Sequence, residues 1–245
     1  MGPTETRLHR LRQHKGPLIA ALIDPEEFTL VKAVETAEKA IRAGASLILV
    51  GGSTISDQGR LDATVRLLKH HVTSPVVLFP GGVTGISKHA DAILFSSLLN
   101  STNPYFIIGA QAIGSMQIFQ EKLEAIPMGY LIFGNTTAAA FIGQVNGFPP
   151  SKPELAVIYA LAARHMGMRA LYLEAGSGAA ETIPARTIAA VRKYFDGLLI
   201  VGGGITSPER AKEVSKAGAD ILVIGNLLQT PNFDKTLREV VLATK

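Results

Sequence analysis

The sequence predicts an α/β fold, a (β/α)8 TIM barrel in which the third helix is replaced by a short loop. Three observations carry this reading. Eight short apolar runs recur along 245 residues, most of them separated by helical patterns. The runs show no polar alternation, as expected of parallel strands covered on both faces. Finally, no Gly-x-Gly-x-x-Gly follows the first run, which counts against the doubly wound dinucleotide-binding sheet, the other architecture that suits such a pattern. Eight βα units in this length favour the barrel. With no linker and no low-complexity tract, residues 1–245 read as one domain, with 1–16 as an N-terminal helical extension.

Thr4 is a fair N-cap for a short helix from Glu5 to His14, ended near Gly16. Pro17 to Asp24 (PLIAALID) is the first buried strand. Pro25 then opens a helix to Ala43-Gly44, with Glu26 and Glu27 in the first turn where the helix dipole favours acids. Ser46 to Gly52 is the second strand, Gln58 to His71 a helix with Leu61, Val65 and Leu68 on one face, and Pro75 to Pro80 the third strand. Only Gly81 to Asp91 separates it from the fourth strand, Ala92 to Leu99, too little for a crossover helix.

Asn103-Pro104 opens a long apolar helix to about Ala125, with Phe106 to Phe119 as a possible interface, and Pro127 to Gly134 is strand five. Asn135 to Lys152 reads as a long loop, a feature that in a compact domain is usually functional. A helix from Pro153 to Met166 precedes strand six, which runs through Leu171 into Glu174. Pro184 to Phe195, Leu198 to Gly204, Ser207 to Gly218 and Ile221 to Asn226 continue the alternation, and Pro231 to Lys245 closes with a helix.

Composition narrows the function. Apolar residues make up 47% and charged residues 18%, which suits a sizeable core and argues against disorder. A net charge of +4, not clustered, gives no support for a nucleic-acid partner but suits an anionic small substrate. The absence of cysteine excludes zinc–thiolate sites and fits a cytoplasmic location. No run is long enough for a membrane span, and the polar, basic start is unlike a signal peptide.

In a barrel, residues that act stand where strands leave the C-terminal face. Tyr172 and Glu174, two apart, share a face of strand six, and Gly176-Ser177-Gly178 lets the backbone turn there. Strand seven ends in Gly202-Gly203-Gly204 and strand eight in Gly225-Asn226, the usual place for a phosphate held by backbone N–H groups at a helix start. Asp24 and Ser53 stand at one level on neighbouring strands, an arrangement that suits magnesium; Asp24-Pro25 equally suits a helix N-cap. Lys88 and His89, in the loop replacing the third helix, could reach an anionic substrate, whereas His9, His14, His70, His71 and His165 read as surface or packing residues.

The blocks Leu22-Ile23-Asp24-Pro25, Val50-Gly51-Gly52-Ser53, Tyr172 to Gly178, Val201 to Ile205 and Ile224-Gly225-Asn226 together resemble the geranylgeranylglyceryl phosphate synthase family, whose relatives include bacterial heptaprenylglyceryl phosphate synthases. The resemblance runs from about Pro17 to Leu228. Some bacterial members have a Lys shortly before the Asp-Pro pair; here Ala21, Leu22 and Ile23 stand there, so the archaeal-type subgroup is the better match. The resemblance implies transfer of a prenyl chain, geranylgeranyl in this subgroup, from its diphosphate to the sn-3 hydroxyl of sn-glycerol 1-phosphate, with Mg²⁺ required. It implies Asp24 and Ser53 as Mg²⁺ ligands, and Tyr172, Leu173, Glu174, Ala175, Gly176, Ser177, Gly178, Gly203, Gly204, Gly225 and Asn226 around the glycerol phosphate. Glu174 would take the proton from, or orient, the attacking hydroxyl. Also implied are a homo-oligomer, dimer or hexamer, and peripheral contact with the membrane when the product leaves. Phe79, Phe95 and the Ala138 to Phe148 loop are expected to wall an apolar trough for the prenyl chain.

Two alternatives are weaker. A phosphate-binding isomerase barrel would share Gly202 to Gly204 and Gly225 but would usually show a further acid or base at a strand end. A barrel that merely binds a phosphorylated lipid precursor would lack Glu174 or Asp24, and both are present.

Overall fold

Eight apolar runs leave eight strands needing cover on both faces, and the chain supplies it by closing the sheet on itself. The computed structural model describes residues 1–52, 57–149 and 152–245, and in it the strands pair in chain order as a closed, all-parallel barrel. These are β1 (Leu18–Ile23), β2 (Leu47–Val50), β3 (Val76–Leu78), β4 (Ala92–Leu98), β5 (Glu124–Ile132), β6 (Ala170–Glu174), β7 (Leu198–Gly202) and β8 (Ile221–Ile224). The seam is the β1–β8 ladder, Leu18 opposite Ile221. Alternate residues fill two clusters. Leu18, Ala20, Leu47, Leu49, Leu94 and Tyr172 belong to the barrel interior. Ile19, Ala21, Ile48 and Ile93 pack outward against alanine-rich helix faces such as Ala33, Ala37 and Ala40. Both faces are buried, which is why the runs lack alternation.

Helix α1 (Pro3–Lys15) is more than an extension, because it closes the barrel floor. Leu8, 2% exposed, joins the interior cluster. Thr4 is not the N-cap: the helix starts at Pro3, two residues before the expected Glu5, after a Gly2 cap that makes no side-chain bond. The Glu124 carboxylate instead accepts from the Thr4 and Glu5 amides at 2.7 and 3.0 Å, an anion where the helix dipole favours one. Glu5, fully buried, pairs with Arg169 at 2.8 Å.

Between β1 and α2 (Leu30–Ala43), the helix expected from Pro25 starts five residues later, with Thr29 as its cap. Asp24 is therefore not a helix N-cap. Its Oδ1 accepts from the Glu26 amide at 2.9 Å, an Asx turn that competes with helix at that point. Helix α3 (Gln58–His71) lies where its pattern put it. The β3–β4 connection, as the sequence indicated, holds only a 3₁₀ turn at Val83–Gly85.

The helix expected to run from Asn103 to about Ala125 is shorter and compound. A π-helical turn at Tyr105–Gly109 leads into α4 (Ala110–Gln120), and Lys122 (φ 53°) breaks the chain away. Pairing with β4 from Ala92–Glu124 onward claims the next residues for β5, so the sheet ladder overrides local helix propensity. The long loop contains one short helix, α5 (Ala138–Ile142), capped by Thr137. Helices α6 (Pro153–His165), α7 (Ala185–Arg192), α8 (Pro208–Lys216) and α9 (Phe233–Ala243) complete the outer ring, and a 3₁₀ turn, Asn226–Gln229, follows β8. Among the described residues, no helix is long and apolar enough to cross a membrane.

Because Leu8 is the plug of the floor, Leu8→Ala should destabilise the fold by about 2–5 kcal/mol, the usual cost of a buried Leu→Ala cavity; urea unfolding midpoints measure it.

Candidate active site

Tyr172 and Glu174 stand two apart on β6, so both side chains take the inner face at the rim. The ladder aligns Tyr130 with Tyr172, and Ile132 and Gly202 with Glu174. Glu174 is 7% exposed. Its Oε1 accepts from the Gly176 amide at 2.5 Å, and the Tyr172 hydroxyl donates to the same carboxylate. Burial raises the Glu174 pKa above its ordinary 4.5, and these two hydrogen bonds partly offset the rise. The phenols of Tyr172 and Tyr130 are themselves held neutral, by burial first and by the Glu174 charge second. Phe79 stacks on Tyr172 at 4.9 Å, and Tyr130 meets both rings edge-on. Three aromatic rings thus floor the site beside the acid.

Two glycines make room for the carboxylates. At Gly203 (φ 84°) a Cβ would fall 2.7 Å from Glu174 Oε1, and at Gly52 one would fall 2.1 Å from Asp24 Oδ2. The loop after β6 is tied to the turn after β8, where Asn226 Oδ1 accepts from the Gly178 amide (3.1 Å) and the Ser177 hydroxyl (3.3 Å). Asp24 is half-buried, and burial raises its pKa from 3.8 against the opposing Glu26 amide bond.

One cleft of about 1370 Å³, open mouth included, joins these parts. Asp24, Glu174, Ser177, Gly225 and Asn226, all foreseen in the sequence, line it together. Tyr172 lies beneath Glu174, and the Gly176 and Gly178 amides are engaged in the bonds above. Leu173 is fully buried in the outer cluster and Ala175 packs against it, so both shape the turn from behind. Gly203 and Gly204 form the adjoining turn, with the Gly204 carbonyl accepting from Arg210 at 2.9 Å. Ser53 lies outside the described residues.

From this head the cleft runs as an apolar trough past β4, taking Leu94 from the interior cluster and Ile93 and Phe95 from the outer one. Its far walls are Val83 and Ile86 of the short β3–β4 connection and Phe106, Gly114 and Ile118 of the π turn and α4. Phe79, Phe95, Ala139 and Ile142 line it as expected. Phe148 does not; it is 5% exposed and packs on Phe133 and Tyr159. Lys88 and His89 are also absent from the lining. They precede Asp91, whose carboxylate accepts from the Val76 amide at the start of β3. Sequence reading missed Tyr130, Phe106, Ile118, Glu27 and Gln229, although the alternation of β5 was enough to face Tyr130 inward.

The cleft's charge is one-sided. Among the described residues lining it are three carboxylates, Asp24, Glu27 and Glu174, and no Lys, Arg or His. No cluster of three or more metal-binding side chains occurs among the described residues. Asp24 nevertheless suits a hard cation: Oδ1 is engaged by Glu26, while Oδ2 lies over the space that Gly52 leaves open.

The PcrB family pattern matches residues 9–244. The chain belongs to the PcrB family, among the geranylgeranylglyceryl phosphate synthases. The synthase of Cenarchaeum symbiosum is 50% identical over 229 residues, covering 94% of this chain and 93% of that protein. The one from Methanothermobacter thermautotrophicus is 49% identical over 232 residues, 94% of each. The crystal structure of (S)-3-O-geranylgeranylglyceryl phosphate synthase from Thermoplasma acidophilum, in complex with its substrate sn-glycerol-1-phosphate, superposes with a TM-score of 0.95 at 34% identity, covering 100% of this chain and 99% of that one. A thiamine phosphate pyrophosphorylase from Pyrococcus furiosus, 13% identical with a TM-score of 0.61, shares the fold alone. The resemblance read from the sequence blocks is thereby borne out for this member of the family.

The raised carboxyl of Glu174 has a consequence for stability. A group whose folded pKa exceeds its unfolded value favours folding below the unfolded value, and that stability is lost as pH rises through the folded one. Glu174→Gln should therefore gain on wild type progressively as pH rises from about 4.5, read as the difference in melting temperature across a pH series.

Proposed function

We propose that this chain joins sn-glycerol 1-phosphate to geranylgeranyl diphosphate, forming the ether bond of 3-O-geranylgeranylglyceryl 1-phosphate for ether-lipid synthesis. The observation that carries the reading is one cleft with a buried carboxylate at its polar head and an apolar trough as its length. The names and the bound substrate of the relatives support it.

Ionised Glu174 accepts the proton of the sn-3 hydroxyl, or orients it, as that oxygen forms its bond to the prenyl C1 and the C1–diphosphate bond breaks. The Gly176 amide and Tyr172 hydroxyl hold the carboxylate in place. Ser177, Gly225 and Asn226 at the wall, with the Tyr172–Gly178 and Gly203-Gly204 turns behind them, cradle the glycerol phosphate. Phe79 and Tyr130 line the cleft, where the face of an aromatic ring attracts the allylic positive charge as it develops. Each methylene-sized unit of the prenyl chain buried in the trough contributes about 0.8 kcal/mol, enough for tight binding without charge contacts.

The diphosphate needs a cation that the described lining does not supply, and for this reason we assign Mg²⁺ as cofactor, held by Asp24 with Ser53. Bound there, it would act as a Lewis acid on the leaving group. The lack of cysteine is in keeping with a cytoplasmic enzyme, and Phe141, 82% exposed beside the cleft-lining Ile142, offers a peripheral membrane contact for product release.

Incubating the chain with labelled sn-glycerol 1-phosphate, Mg²⁺ and prenyl diphosphates of graded length should give a lipid-soluble product, best with geranylgeranyl, and none after chelation by EDTA. Glu174→Gln should lower turnover by about 10²–10⁴-fold, the range for a lost general base, while glycerol 1-phosphate still binds. If turnover survives that substitution, the assignment of Glu174 falls.

For a homo-oligomer, dimer or hexamer, we assign the interface to α4. Ile113, Met116 and Phe119, three apart, are 64%, 62% and 80% exposed, and Ile108 of the π turn is 63% exposed beside them. Phe119→Asp should shift the species seen by analytical ultracentrifugation toward monomer.

A further inference from the structure

The π-helical turn Tyr105–Gly109 is a rare element, of the kind frequently found at functional sites, and here it forms one lip of the cleft through Phe106. Two side chains pin it from outside its own backbone ladder. Gln111, in the first turn of α4, donates its amide group to the Ser96 carbonyl of β4 at 2.5 Å and back to the Phe106 carbonyl at 3.2 Å. Ser97, 7% exposed, donates its hydroxyl to the Ile107 carbonyl at 2.6 Å.

Two carbonyl acceptors fix which end of the Gln111 amide is nitrogen. The other end, Oε1, is buried and has no hydrogen-bond partner among the described residues. Leaving such an acceptor unmade costs about 1–3 kcal/mol. A leucine or methionine would fit an apolar trough without that cost, so the polar side chain has a use besides filling space. Gln111 itself lines the cleft, between the apolar Ala110 and Gly114.

We infer that Gln111 is a positioning residue for the prenyl donor: it locks the π turn onto β4 and so fixes the Phe106 wall of the trough. The inference rests on the function proposed above. The turn is joined to β4 by the polar bonds through Ser96 and Ser97 and by Phe106 packing against the cluster of Leu98, Ile132 and Ala140, and none of its five residues is itself fully buried. Release of the Gln111 bonds therefore frees the lip without emptying the core.

The test uses Gln111→Glu, which keeps shape but removes the donors, and the near-isosteric Gln111→Met, both in the full chain. Dissociation constants are measured for geranylgeranyl diphosphate alone and for sn-glycerol 1-phosphate alone, together with amide hydrogen exchange of residues 105–110. The expected result is weaker prenyl diphosphate binding by about five- to tenfold, the scale of one net hydrogen bond, with faster exchange in the π turn and unchanged glycerol 1-phosphate binding. Parallel weakening of both ligands marks a general structural role and overturns the inference. So does unchanged prenyl binding, with or without faster exchange. Turnover by the unmodified chain judges the functional reading separately: a wild type that binds both ligands without joining them sinks that reading, while a split between the two constants in the variants still upholds the Gln111 assignment.

Discussion

Parallel strands need apolar cover on both faces, and the short connection from β3 to β4 withdraws a helix from one stretch of the outer wall. The void is only partly refilled. Val83 and Ile86 of the connection approach α4 and the π turn across a gap, and Ile93 and Phe95 of β4 face into it. At the top of the barrel this gap runs into the space above Phe79 and Tyr130, so an outer groove and the inner mouth become one cleft. The trough is therefore a by-product of topology, and the rest of the ring can stay a regular, alanine-faced helix layer.

At the head of that cleft the electrostatics run opposite to expectation for a site that receives phosphate groups. Carboxylates predominate, and burial raises the pKa of two of them, Asp24 and Glu174. This makes sense if positive charge arrives with the ligand and if the glycerol phosphate is met by amides and hydroxyls, whose dipoles need no counter-ion. A buried acid with two fixed hydrogen-bond donors is also a tuned one: the donors hold its orientation, while burial, which they only partly offset, raises its basicity.

The strands were legible because each is an apolar run bounded by Pro, Gly or Asp, and the missing helix was legible because eleven residues between two such runs leave no alternative. Glu174, Asp24 and the glycines stood out for a related reason, as polar or small residues at the last apolar step. What escaped depends on partners distant in sequence. The start of α2 is displaced by an Asx turn at Asp24, and the end of α4 by pairing with β4. The π turn has no period of its own, being held by Ser97 and Gln111 from either side. Phe148 and Phe79 are indistinguishable by type, yet one packs under α6 and the other over the barrel mouth.

The floor of the barrel carries an implication for synthesis on the ribosome. The carboxylate that caps α1 comes from Glu124, and the guanidinium that neutralises buried Glu5 comes from Arg169, 164 residues downstream. At roughly 5–20 residues per second, this helix waits on the order of 8–33 s before Arg169 exists, and longer for Asp220, the ion-pair partner of Arg12. Until then an uncompensated acid and the apolar Leu8 stand in solvent. Its docking therefore comes late, sealing a barrel most of whose staves are already in place.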